Sequence, residues 1–262
     1  MDFCQKESTA MAVASDVASL VQMAEEQGIA LTSEQASRLL AFLDLMLEKN
    51  AVINLTAIRD RGKGVVLHLL DSLLFMKGME LAMGEGKTGA SLEGAFIDMG
   101  CGGGFPGIPL ALVNEGLNGV MCDSVKKKIA AVEEFIGALG LGERLDTSTE
   151  RLELLPLMPA YKARFDYAFA RALAPLPALV EYAAPLLRKG GHLIVSKGVP
   201  EQEELEAGLR AAKVAGMQHI GTMELELPEG YGHRTVLVYG KISSPSVRLP
   251  RAVGYALKHP LA

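Results

Sequence analysis

A chain of 262 residues, 49% hydrophobic and 22% charged, is long enough for one α/β domain with an extension and can bury a sizeable core. Its apolar runs fall short of the roughly 18 residues expected of a membrane span, and an N-terminus carrying Asp2 and Glu7 with no basic stretch does not read as a signal peptide. A net charge of −5 argues against a uniformly basic nucleic-acid binder, and Cys4, Cys101 and Cys122 form an odd set without metal spacing, which suits a reducing cytoplasm and no metal site.

In chain order, residues 1–30 are expected to be helical from about Met11. Thr32 and Gln35 form a capping box, and Leu39, Leu40, Leu43, Met46 and Leu47 follow at helical spacing until Asn50 closes the helix. Residues 54–60, NLTAIRD, read as a polar turn. Val65 to Lys77 reads as a second helix, containing His68 and Asp71, and no role falls to His68. Residues 1–83 thus make an N-terminal helical extension, and Gly84–Gly94 a Gly-rich linker into a main domain over residues 95–241.

The main domain opens on AFIDMGCGGGFPGIP (95–109). An apolar strand runs through Asp98 into a loop holding Gly100, Gly102, Gly103, Gly104 and Gly107, and a helical pattern follows from Ile108. Clustered glycines mark backbone that must turn sharply or let a ligand approach closely. The alternative is a Gly-rich surface turn. Gly102, Gly104 and Gly107 match G-x-G-x-x-G, a weak signal for a dinucleotide. Pro106 and Pro109, however, remove two N–H donors that a pyrophosphate would use, and Asp98 would repel a phosphate. S-adenosylmethionine carries a sulfonium and an ammonium and has no phosphate, so it suits the loop better than NAD.

Further strands are expected at 119–122, 144–148, 165–170, 192–196, 217–227 and 234–240. Helices are expected from Val125, over Pro175–Arg188 (ended by Lys189-Gly190-Gly191) and after Pro200. Alternating strands and helices argue for a mostly parallel, doubly wound sheet whose ligands sit at the carboxyl ends of the strands. Asp98, Asp123, Glu150, Arg171 and Lys197 all fall at such ends. Asp123 lies 21 residues after Gly102, the spacing of an acid that meets ribose hydroxyls, although it could also cap the next helix. Cys101 reads as a small residue in a tight loop. Residues 1–60 hold nine acids against four bases, whereas from Lys241 onward four bases (Lys241, Arg248, Arg251, Lys258) meet no acid. This basic tail, residues 242–262, is either a phosphate contact or a solvated terminus.

These pieces resemble the ribosomal RNA small-subunit methyltransferase G family, also called glucose-inhibited division protein B. The resemblance rests on NLTAIRD, HLLDSL (68–73), DMGCGGGFPGIPLA (98–111), DSVKKKIAAVEE (123–134), ARALAPLPALVEYAAPLLRKGG (170–191), SKG (196–198) and LPRAVGYALKHPL (249–261). It implies an α/β, Rossmann-like class I S-adenosylmethionine-dependent methyltransferase. The sheet would be seven-stranded and mostly parallel, with helices on both faces and an N-terminal helical extension. It also implies methyl transfer to N7 of one guanosine of 16S rRNA near the decoding centre. Matched to the family, the cofactor contacts are Gly100, Phe105, Thr149, Glu150 and Arg171, joining Asp98 and Asp123 from the residues themselves. Lys197, Arg234, Arg251 and Lys258 are the expected RNA contacts.

N7 of guanine has a lone pair and no proton, so no catalytic base is assigned and catalysis is expected to rest on positioning. Arg171 and Lys197 are suited to O6, to phosphates or to the cofactor carboxylate. The expected partner is 16S rRNA, free, in the small subunit or in an assembly intermediate, acted on by a cytoplasmic monomer away from membranes. Two other functions stay open at this point. One is an S-adenosylmethionine methyltransferase acting on a small molecule or protein, and the other is a non-catalytic ribosome-binding module.

Overall fold

The computed structural model describes residues 3–84 and 92–261, with side chains from residue 14 onward. Most of the expected linker over residues 84–94 therefore lies outside the described residues. Helix α1 spans Phe3–Glu26, starting earlier than the expected Met11. In α2, Ser33–Asn50, the capping box forms as expected. Thr32 Oγ1 accepts from Gln35 N–H, and the Gln35 side chain accepts from Thr32 N–H. The second expected helix is a composite: α3 (Arg61–Gly64), one π turn (Val65–Leu70) and α4 (Asp71–Met83).

The strands are β1 Gly94–Met99, β2 Leu117–Cys122, β3 Leu145–Ser148, β4 Phe165–Arg171, β5 Leu187–Lys197, β6 Met217–Leu227 and β7 Gly232–Lys241. They form one seven-stranded sheet among the described residues, in the order β3-β2-β1-β4-β5-β7-β6. The first five run parallel, while β7 is antiparallel to both β5 and β6. Crossovers between them are made by α5 (Gly107–Val113), α6 (Lys126–Ala138), α7 (Leu176–Ala183) and α8 (Gln202–Val214).

Both sheet faces are covered, which is why the central strands read as unbroken apolar runs rather than as alternation. Along β1, Phe96 packs with α1, α2, α4, α5 and α6 on one face. Its neighbour Ile97 packs with α7 and α8 on the other. The N-terminal helices thus share a single core with the sheet. Phe42 of α2, fully buried, meets Phe105 of the Gly loop at 5.0 Å between ring centroids.

One expected element is corrected. The helix expected over Pro175–Arg188 stops at Ala183, and Leu187–Gly191 belongs to β5. Pro185 has no N–H to continue the helix. Arg164 and Phe165 N–H groups instead bond to the Leu186 carbonyl, and the register shift between Phe165 and Tyr167 accommodates the bulged LRKGG segment. Sheet pairing outweighed a local helical pattern.

Candidate functional site

The Gly loop is fixed by its own backbone. Gly100 and Cys101 N–H groups both donate to the Cys122 carbonyl at 2.8 and 2.9 Å, tying β1 to the end of β2. Gly100 has φ +74°, and a Cβ there would lie 2.6 Å from Leu173 Cδ1. Only glycine fits this position without moving the wall opposite. At Gly107 a Cβ would meet Met121 Sδ at 2.5 Å, so the start of α5 lies against the sheet.

Asp98 is placed differently from the exposed strand-end carboxylate that the sequence suggested. It is fully buried beneath the loop, with Oδ2 accepting from Gly107 N–H at 2.8 Å and Oδ1 without a partner. Burial pushes its carboxyl up to about 7, against the opposing pull of the Gly107 N–H and the Arg171 charge. Asp98 braces the loop from below. Asp123 does two things at once: Oδ2 accepts from Gly102 N–H at 3.1 Å, and Oδ1 accepts from Val125 N–H at 2.9 Å. Asp123 thus stands on the wall of the cavity beside the loop and closes a turn before α6, but it is not the helix cap: the N-cap is Val125, with no side-chain cap bond.

Beside this loop, at the carboxyl ends of β1, β2 and β3, lies a cavity of about 220 Å³. Gly100, Asp123, Ser124 and Glu150–Glu153 line it, together with Leu173 and Ala174 from the segment after β4, Tyr182 of α7, and Gly254 and Leu257 of the tail. Thr149 is half-buried one residue before Glu150 and is not on the wall. Arg151 is the one cation in this lining. Carboxylates that accept hydroxyls, leucine side chains and a glycine cradle suit a nucleoside without phosphates. The residues present fit S-adenosylmethionine.

A second, wider cleft of about 660 Å³ lies at the ends of β4, β5 and β7. Here the structure joins residues that are far apart in the chain. Asp71, 3% exposed, accepts from Arg171 Nη1 at 3.1 Å on one carboxylate oxygen and from Arg234 Nε at 2.9 Å on the other. Arg171 also donates to Leu67 O, in the π turn, and lies 5.5 Å over the Phe105 ring. Arg171 thus stands on the wall of the second cleft, not in the cavity beside the Gly loop. Lys197 Nζ pairs with Glu204 at 2.8 Å and donates to the Ala174 carbonyl at 3.2 Å, at the border with the first cavity. Between the two cavities runs Ala172–Leu173, with Ala172 in a strained backbone conformation at φ +51°.

Phe105 lines neither cavity. Its ring is buried in a stack, 4.5 Å from His68 and nearly parallel to it. His68 Nε2 bonds to Thr56 Oγ1 at 3.0 Å, and Nδ1 has no partner. Burial, then the Arg171 charge, holds this imidazole down at about 4, so it is neutral near pH 7. Thr56 is itself fixed by Asn50 of α2, whose side chain takes N–H groups of Leu55 and Thr56 and donates to Thr56 O. Both buried thiols are pushed up, Cys122 to about 12 and Cys101 well above its ordinary value, so neither offers a thiolate. Among the described residues no His, Cys, Asp and Glu group could hold a metal.

The tail corrects the sequence reading most. Arg251 turns inward to buried Glu181 of α7: Nε donates to Oε1 at 2.7 Å, Nη2 pairs with Oε2, and Nη2 also donates to His259 O. A glutamate left only 3% exposed needs such a partner, and Arg251 supplies it from the tail expected to contact phosphate. Lys258, in the short helix α9 (Tyr255–Lys258), is exposed. Asp71, Glu181 and Glu153 were not singled out from sequence. A signal existed for Asp71: with His68 it forms a polar pair three residues apart inside VVLHLLDSLLF.

Comparisons with known proteins agree with this architecture. A family model described as GidB, rRNA small subunit methyltransferase G, matches residues 35–229. A protein of Alkaliphilus oremlandii named ribosomal RNA small subunit methyltransferase G is 34% identical over 242 residues, covering 92% of this chain and 97% of that protein. A Deinococcus radiodurans protein of the same name is 37% identical over 233 residues, covering 89% and 87%. Among solved structures, a single-site mutant of MtNAS shares the fold with a TM-score of 0.50 at 14% identity, over 80% of this chain and 76% of that one. Among the described residues no helix is long and apolar enough to cross a membrane.

Proposed function

Because the chain belongs to the rRNA small subunit methyltransferase G family, and is therefore an S-adenosylmethionine-dependent methyltransferase, we propose that it methylates N7 of one guanosine in 16S rRNA near the decoding centre. The observation that carries this reading is the second cleft. It presents Arg171, Lys197 and Arg234 beside the first cavity, and the one histidine on its wall, His68, is held down at about 4 by burial and the Arg171 charge.

S-adenosylmethionine, when bound, supplies an electrophilic methyl carbon on a sulfonium. In this reading Asp123 and Glu150, just past the carboxyl ends of β2 and β3, accept its hydroxyls. Gly100 leaves room for it, and Asp98 holds the loop in shape from beneath. Ala172–Leu173 form the partition toward the second cleft, and Arg171, lying over the Phe105 ring, stands on that cleft's wall.

The target base lies in that cleft. N7 attacks with its own lone pair, so the protein orients rather than deprotonates. Arg171 and Lys197 donate to guanine O6, an acceptor where adenine carries a donor. Arg234 and exposed Lys258 face phosphates, which position the RNA without reading its sequence. Asp71 keeps the two arginines in place between turnovers.

Both cavities are built within one chain, which supports action as a monomer, in the cytoplasm where the rRNA is made. The test uses rRNA from a strain lacking this enzyme, supplied as naked RNA, assembly particles and small subunits. After reaction with labelled cofactor, nucleoside mass spectrometry should find 7-methylguanosine at one position, and the best of the three substrates identifies the natural one. A methylated ribose, another base or another ring atom would refute the N7 reading.

A further inference from the structure

Arg251 and Lys258 of the 242–262 tail were expected to contact RNA, yet the segment that carries them, residues 249–258, is folded over the cavity beside the Gly loop. Two contacts hold them there from separate elements. The first is Arg251 on Glu181, a buried carboxylate one residue from the cavity-lining Tyr182. The second is the Gly254 N–H on Glu153 Oε1 at 2.8 Å, where both residues line the cavity themselves. Ala256 is buried against α7, which fixes the register of the segment, and the Arg251 guanidinium lies 4.8 Å over the Tyr255 ring. This leaves Leu257 at the cavity wall with 56% of its surface exposed, near the 37% exposed Leu173. Leucine side chains held open at a cavity mouth by buried ion pairs and backbone bonds present apolar surface for a flat apolar group to cover.

We propose that the C-terminal segment is the roof of the cofactor site, with Leu257 contacting the purine ring of the cofactor and Arg251 positioning it. The acids of the lower wall, Asp123 and Glu150, take the hydroxyl side, and Leu257 closes the apolar side. Exchange of spent cofactor for fresh then requires the segment to lift from Glu181 and Glu153. Cofactor occupancy and roof docking therefore stabilise each other. Arg251 acts through this positioning and does not touch the RNA.

The experiment uses the full chain and S-adenosylhomocysteine without RNA, so its outcome is independent of which nucleotide is methylated. Leu257→Ser, at a half-exposed position, should leave the thermal midpoint nearly unchanged and weaken calorimetric affinity about tenfold or more. Arg251→Ala should speed ligand dissociation, and Arg251→Lys should restore it in part. Hydrogen exchange over residues 249–258 gives a readout that a purely structural tail would not move. Because a lifted segment holds the ligand far more weakly than a docked one, ligand at 100 times its Kd should slow exchange there up to about a hundredfold. Unchanged affinity in Leu257→Ser, or tail exchange at the same rate with and without ligand, would overturn the proposal.

Discussion

Replacing His68 by Gln separates a structural histidine from a catalytic one. In the folded chain this ring is 7% exposed, stacked on Phe105 and bonded to Thr56, and its pKa is lowered from 6.5 to about 4 by burial and then by Arg171. Between those two values the unfolded chain binds a proton here that the folded chain does not. The contribution is therefore fully present above pH 6.5 and is lost as pH falls through the window toward 4. A shift of this size corresponds to about 3 kcal/mol.

Glutamine can still bond to Thr56 and cannot titrate. The stability difference between wild type and His68→Gln should then move by about 3 kcal/mol in favour of the variant as pH drops from 7 to 4. Urea unfolding at a series of pH values measures it. Single-turnover methyl transfer, run in parallel, should stay within a few-fold of wild type and follow the same pH dependence down to about 4, where a catalytic His68 would titrate. Loss of a general base typically costs about 10²–10⁴-fold. A loss of that size at unchanged RNA and cofactor affinity, or a stability difference flat in pH, would refute the reasoning.

Other expectations follow from neighbouring residues. At Gly100, φ is +74° and a Cβ would lie 2.6 Å from Leu173, so Gly100→Val should abolish calorimetric cofactor binding while circular dichroism still reports a folded protein. Lys258→Ala should lower the slope of log RNA affinity against log salt by about one unit. Arg251→Ala should leave that slope alone and lower unfolding stability by about 3–5 kcal/mol, because buried Glu181 is left without its partner. Asp98 titrates at about 7 when folded against 3.8 in its ordinary state, so the folded chain holds an extra proton in that interval. Its contribution is present below 3.8 and is lost as pH rises through 7, so Asp98→Asn should gain on wild type in thermal melts taken from pH 5 to pH 8.

What the sequence alone determined are features decided within a few residues of themselves. The Thr32 capping box, the apolar strand entering the Gly loop, and the acids opening α8 were legible because their partners lie within one turn of chain. Central strands such as β1 and β4 were legible because burial on both faces leaves a nearly unbroken apolar run, whereas the edge strand β6 alternates half-buried and exposed residues. The length of α7 was misread because the competing interaction, the pairing of β5 with β4, comes from elsewhere in the chain.

Only the tertiary structure decided where each charge at a strand end points. Asp71 meets Arg171 across 100 residues and Arg234 across 163, and Arg251 meets Glu181 across 70. Withdrawing a carboxylate from water costs several kcal/mol unless a cation follows it. Which arginine follows is set by packing distances that no local pattern encodes. For that reason an arginine in a basic tail became an internal anchor, while the lysine seven residues later stayed in solvent.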